Sequence, residues 1–169
     1  MPISVKKNLL ASETGCWLSP YFIVSKEEQK DESILYQVTQ VSVYNPNADK
    51  VDVRVTFHYQ QTGKFEFSLK ITGGLTATKI VGYRNCMSNM DFAEFPGTKL
   101  EKHYVEHYVG RIAVYSPLPI YASGQINIFQ EGYSNTPEPY FFNHRSYPLT
   151  FHPNFTADPN FDLPHFKFE

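Results

Sequence analysis

Apolar and polar residues alternate with a period of two along most of this chain, the pattern of a pleated strand whose successive side chains point to opposite faces. Between Lys50 and Tyr59, the residues Val51, Val53, Val55, Phe57 and Tyr59 share one face, and Asp52, Arg54, Thr56 and His58 share the other. A helix would scatter both sets, so the pattern predicts a strand buried on one side. After the Gln60-Gln61-Thr62-Gly63 break, Phe65, Phe67, Leu69 and Ile71 alternate with Glu66, Ser68 and Lys70, which predicts an antiparallel partner. Leu35 to Tyr44 is β-branched and aromatic, and Asn45-Pro46-Asn47-Ala48-Asp49 is turn chemistry, so this run reads as a hairpin with the strand that follows. Gly73-Gly74 turns the chain into Leu75 to Tyr83. Tyr108 to Ser116 and Ile120 to Phe129 flank a Pro117-Leu118-Pro119 corner, the latter with Ala122, Gly124, Ile126 and Ile128 on one side. Trp17 to Ser25 is the first strand. Short strands at close intervals, with no amphipathic helix of three turns, predict an all-β fold: an antiparallel β-sandwich of about seven strands.

Two stretches break the rhythm. Arg84 to His107 is a long connection with room for one helical turn, and loops of that length usually carry a function. Its Arg84, Asn85, Asn89 and Tyr104 are candidate binding residues. From Gly132 to Glu169 six prolines and a dense set of aromatics, from Tyr140 to Phe168, follow neither period. Disordered segments are poor in aromatics. The expectation is therefore a sandwich over residues 1–131 and an irregular, extended C-terminal arm over 132–169, packed on the domain or on a neighbouring subunit.

The 169 residues suffice for one domain. Fifteen Lys and Arg against 17 Asp and Glu give a net charge of −2 and no electrostatic reason to expect a nucleic-acid partner. The N-terminal stretch lacks an apolar segment of signal-peptide length, and no run approaches a membrane span, so a cytoplasmic location and no membrane insertion are expected. Cys16 and Cys86 make one disulfide arithmetically possible, and the same compartment argument favours free thiols and an unmodified Asn154-Phe155-Thr156 sequon.

Gly15-Cys16-Trp17 leads a first strand, Val41-Ser42-Val43-Tyr44-Asn45-Pro46 meets the alternating Val51 to Tyr59, and Gly82-Tyr83 precedes the run from Gly110-Arg111-Ile112 through Pro117-Leu118-Pro119 to Ala122. This order resembles the small β-sandwich proteins of the sensory rhodopsin transducer family over Gly15 to Phe129. The resemblance implies a symmetric homo-oligomer that acts as a soluble binding or signalling component rather than an enzyme; partner identity does not carry over, and a membrane receptor or a small ligand is the partner class expected besides the chain itself. The Arg84 to His107 connection is longer than the family's, the tail has no counterpart, and no functional residue carries over.

His103-Tyr104-Val105-Glu106-His107 matches H-x-x-E-H, in which two histidines one helical turn apart hold zinc and the glutamate activates water. The chemistry needs a helix, whereas Tyr104, Val105, Tyr108 and Val109 favour strand. On a strand the histidines stand about 13 Å apart, too far to share a metal. His103 and His107 are thus weak metal candidates and a hydrolase centred on them with Glu106 the least favoured function. No C-x-x-C, G-x-S-x-G, Walker loop or G-x-G-x-x-G occurs, so neither cofactor nor catalytic residue is expected. Phe57, Phe65, Phe67 and Tyr36 are needed for the core. The tail aromatics exceed that need, and Tyr133, Tyr140 and Tyr147 are candidate contacts for a partner or, in the alternative reading as a carbohydrate-binding module, for a sugar.

Overall fold

The structure, a computed structural model, describes residues 14–59, 63–82, 92–94, 105–133 and 139–154, with the backbone alone at 92–94, 105–106, 133 and 139. Ten strands follow in order: β1 (Cys16–Glu28), β2 (Ile34–Tyr44), β3 (Val51–Tyr59), β4 (Gly63–Ile71), β5 (Thr76–Gly82), β6 (Phe92–Glu94), β7 (Val105–Tyr115), β8 (Tyr121–Tyr133), β9 (Pro139–Leu149) and β10 (His152–Pro153). The all-β antiparallel architecture agrees with the period-two reading. One pair is parallel: β6, inside the long connection, runs alongside β5.

All strands belong to one curled sheet of order β4-β3-β7-β1-β2-β5-β6, with β8 pairing β2 and β9 continuing beyond β8. Its two wings face each other. β2 pairs β8 over its whole length, from Ile34↔Glu131 to Tyr44↔Tyr121. Its other edge is shared, by β1 at Ile34 to Gln37 and by β5 at Thr39 to Tyr44. The β4-β3-β7-β1 wing leaves the β5-β2-β8-β9 wing at that split, and the space between fills with apolar side chains. Phe22 of β1 meets Phe57 of β3 edge to face at 4.8 Å, and Val41, Val43 and Ile80 are buried in the same cluster. Lys79 of β5 reaches across to the Phe67 ring of β4, 5.6 Å from its centroid.

A β-bulge on β1 lets that core form. Ser19 pairs Ile112 and the next partners are Phe22 and Gly110, so β1 carries one extra residue. Pro20 suits such a position because it has no N–H to give the ladder. The extra residue turns Tyr21 out to solvent and Phe22 in. Phe22 needs room on β7: a Cβ on Gly110 would lie 1.8 Å from the His58 carbonyl oxygen and 2.9 Å from Phe22 Cε1.

The hairpin expected between β2 and β3 does not form, since β2 pairs β1, β5 and β8 while β3 pairs β4 and β7. The turn residues make a corner between wings instead. Asn45, fully buried, donates from Nδ2 to the carbonyls of Asp49 (2.8 Å) and Ile71 (2.9 Å). Its Oδ1 accepts from the N–H and Nδ2 of Asn47, whose Nδ2 also donates to the Pro119 carbonyl at 2.7 Å. The Asn45 main chain bonds Gly74 and Leu75. Asn45 thus holds the 45–50 corner to the corner after β4, and Asn47, bonded to Asn45 Oδ1, holds it to the corner after β7.

The C-terminal stretch also departs from expectation. Residues 139–149 form a bulged strand rather than an extended arm without a ladder, and Leu149 and Phe151 enter the core. Six prolines argued against a ladder, but β9 lies at the edge of the sheet, where Pro148 is tolerated, and Pro139 starts the strand. A bulge between Arg145 and Phe142, with Asn143 at φ 54°, breaks the periodicity that would have marked it. Residues 139–149 pair with β8 of their own chain.

Candidate functional site

The outer surfaces of the two wings differ in charge. On β3 and β4 the positions alternating with the core carry Asp52, Arg54, Lys64, Glu66 and Lys70. Glu66 accepts from Thr56 Oγ1 at 2.9 Å and lies 3.5 Å from Lys64 Nζ. The opposite wing presents neutral rows. Thr76, Tyr44 and Tyr121 align across β5, β2 and β8, followed by Thr78, Ser42 and Ser123. Next come Gln40, Gln125 and Pro148 across β2, β8 and β9, and then Asn127 beside Ser146. The alternate positions Val41, Val43 and Ala122 are buried in the core, which turns Tyr44, Tyr121, Thr76 and Ser123 outward and leaves Gln40 and Gln125 half-buried, while Asn127 and its β2 neighbour Val38 are buried.

At one end the Tyr44 and Tyr121 rings stack at 6.0 Å and 26°, each 40% exposed. Trp17, buried and donating its indole N–H to the Ile120 carbonyl, backs Tyr121 at 6.3 Å. Beyond them, Asn127 Oδ1 accepts from Gln125 Nε2 (3.0 Å) and Ser146 Oγ (2.6 Å). Gln40 Oε1 accepts from Asn127 Nδ2 (3.3 Å) and Gln125 Nε2 (3.4 Å). The Gln40 amide N–H groups and the Gln125 carbonyl oxygen lie outside this network, and the Ser42–Thr78 hydroxyl pair (2.9 Å) sits next to it. Pre-oriented amides and hydroxyls beside exposed rings offer donors, acceptors and an apolar face, and no ionised group.

The sequence had pointed to other residues. Arg84, Asn85, Asn89, Tyr104 and His103 lie outside the described residues, as does Cys86. Val105 to His107 are strand, with His107 exposed opposite Ser25, so this half of the H-x-x-E-H motif is not helical. Among the described residues no group of three or more His, Cys, Asp and Glu could hold a metal. Tyr140 and Tyr147 are exposed on β9, but they do not join the neutral face: Tyr147 pairs Ile126 and Tyr140 pairs Gly132, the register positions that alternate with Gln125 and Asn127. Tyr133 pairs Pro139, one step from the Gly132 and Tyr140 pair, so the three tyrosines do not occupy one pleat. Burial and the nearby Tyr147 push the Tyr21 hydroxyl above its ordinary pKa. Tyr44, Tyr121 and the amide network were missed, although the signal existed: placing Ala122, Gly124 and Ile126 on one side leaves Tyr121, Ser123, Gln125 and Asn127 on the other.

Cys16 is a free, fully buried thiol, held neutral because burial pushes it from 9.0 up to about 12 against a hydrogen bond with the Asn154 side chain. Such a thiol is a packing group, not a nucleophile.

No family model and no curated protein matches the chain. Among solved structures it is similar to the crystal structure of Thermotoga maritima 1070, at 8% identity and a TM-score of 0.44, over 83% of this chain and 97% of that one. Among the described residues no helix is long and apolar enough to cross a membrane.

Proposed function

We propose that this chain is a non-catalytic binding protein, working as a homo-oligomer, whose β5-β2-β8-β9 face holds a neutral polyhydroxylated ligand of the carbohydrate class. The observation that carries this is the pair of half-exposed amides Gln40 and Gln125, held by the buried Asn127 and lying two rows along the same face from the Tyr44 and Tyr121 stack, on rows without a charged side chain. Sugars present C–H faces that stack on aromatic rings and hydroxyls that both donate and accept, which side-chain amides match. The sequence resemblance to sensory rhodopsin transducers supports a binding or signalling role, with a membrane receptor as a further partner class.

Affinity electrophoresis through gels containing neutral polysaccharides, followed by titration calorimetry with the oligosaccharide that retards the protein, tests the proposal. Retardation is expected, weakened about fivefold by Tyr44→Ala, in line with about 1 kcal/mol for an aromatic contact, and abolished by Ser123→Trp, which covers the face. Equal migration of wild type and Ser123→Trp in every polysaccharide would refute it.

A further inference from the structure

The two long outer strands of the sheet differ. β9 has Pro148 near its end and a bulge at Asn143, both devices that discourage further pairing. β4 has neither. It is nine residues long, free of proline, regular in its register with β3, and among the described residues pairs with no strand on its other edge. Along it Phe65, Phe67, Leu69 and Ile71 alternate with Lys64, Glu66, Ser68 and Lys70. An edge this regular is a template for another strand.

We propose that β4 pairs antiparallel with β4 of a second copy of this chain, about a two-fold axis through Ser68, joining two sheets into one. This rests on the homo-oligomer part of the reading above and names its surface, which is separate from the ligand face. The occupant follows from the strand's self-complementarity. A two-fold axis perpendicular to the sheet keeps side chains on their own face, so only positions of like parity can meet. With the axis at Ser68, Glu66 stands opposite Lys70 of the second copy and Lys70 opposite its Glu66, while Ser68 meets Ser68. On the other face Phe65 meets Ile71, and Phe67 meets Leu69. Opposite charges and aromatic–aliphatic pairs are the favourable cross-strand combinations. Neighbouring registers lose this match. An axis at Phe67 sets Lys64 against Lys70, and one at Glu66 sets Glu66 against itself. An axis at Leu69 leaves no charge pair among these residues.

Sedimentation velocity on the full chain across a hundredfold concentration range, at low and high salt, provides the test. A self-association weakened by salt is expected. Lys70→Glu and Glu66→Lys should each weaken it at least tenfold at low salt, and the double exchange Glu66→Lys with Lys70→Glu should restore it, a rescue that a folding defect would not give. Ser68→Cys should cross-link through a short bis-maleimide under conditions where the wild type does not. An oligomer indifferent to both single variants and uncross-linked at Ser68→Cys would overturn the β4 proposal and leave assembly through another face. A monomer at all concentrations would overturn the assembly reading as well, while polysaccharide retardation of the Lys70→Glu variant reports on the ligand face independently.

Discussion

Thr39 Oγ1 donates to the carbonyl of Ile23 at 2.7 Å and accepts from the N–H of the same residue at 3.2 Å, where β1 and β2 part. The hydroxyl replaces both halves of a ladder step: β1 pairs β2 only from Ser25 onward, and from Thr39 β2 takes β5 as its neighbour. Without it, the N–H and C=O of Ile23 at the buried split would have lost this partner.

Thr39→Val keeps the shape and removes both bonds. The expected loss is about 2 to 4 kcal/mol in urea unfolding, with Thr39→Ser, which keeps the hydroxyl, costing about 1 kcal/mol or less. Equal losses for the two would show that packing rather than hydrogen bonding matters here.

Asn45 uses both amide donors and accepts two bonds, so Asn45→Asp, near-identical in size, takes both donors from Asp49 and Ile71 and buries a charge. Both Asn45→Asp and Asn45→Ala should lower stability by about 2 to 4 kcal/mol. A fall in melting temperature of several degrees in differential scanning calorimetry is the readout, with Asn47→Ala, which loses the Pro119 link and the Nδ2 bond to Asn45 Oδ1 but keeps the main-chain N–H bond to it, milder than either.

Two glycines should respond differently to alanine. At Gly110 a Cβ meets the His58 main chain at 1.8 Å, which no side-chain movement relieves, so Gly110→Ala should cost about 3 kcal/mol or prevent folding. Gly74 has φ 77° and nothing within 4 Å of a built Cβ, so Gly74→Ala should cost only the left-handed backbone, about 1 to 2 kcal/mol. Thermal melts of the two variants side by side decide the order.

Stability should fall above pH 9 through Cys16. Its thiol stays protonated in the folded chain up to about 12, while the unfolded chain releases the proton near 9.0. Between those values the folded state holds one more proton, so rising pH favours unfolding, with a slope of at most about 1.4 kcal/mol per pH unit from this group. Urea midpoints from pH 8 to 10 should therefore drop more steeply in the wild type than in Cys16→Ala. Asp31 has the opposite sign. Hydrogen bonds from the Ser33 hydroxyl and N–H hold its carboxyl below the usual range, so its contribution is present at neutral pH and lost as acid protonates it.

Which apolar residues face inward was legible from the sequence, although β3 is buried on one side only as far as Arg54, since Thr56 and His58 on its polar face are buried as well. The alternation of Val51, Val53, Val55 and Phe57 with their polar neighbours is a property of one strand, because a pleat sends successive side chains to opposite sides whatever lies next to it. For the same reason each strand from Trp17 to Phe129 was readable near its observed place except β6, three residues inside what the sequence showed only as a long connection. Which strands are neighbours was not readable, because alternation says nothing about the edge. Asn45-Pro46-Asn47 can close a hairpin or turn a corner, and the choice fell to the buried bonds of Asn45 with Asp49 and Ile71, the latter 26 residues away in sequence. Pro148 was read against a ladder, and only the place of β9 at the sheet's edge made it compatible with one. The neutral face has the same origin: Gln40, Gln125 and Ser146 lie far apart along the chain and meet because β2, β8 and β9 pair in that register. Local sequence set each side chain's face, and tertiary pairing decided what it stands beside.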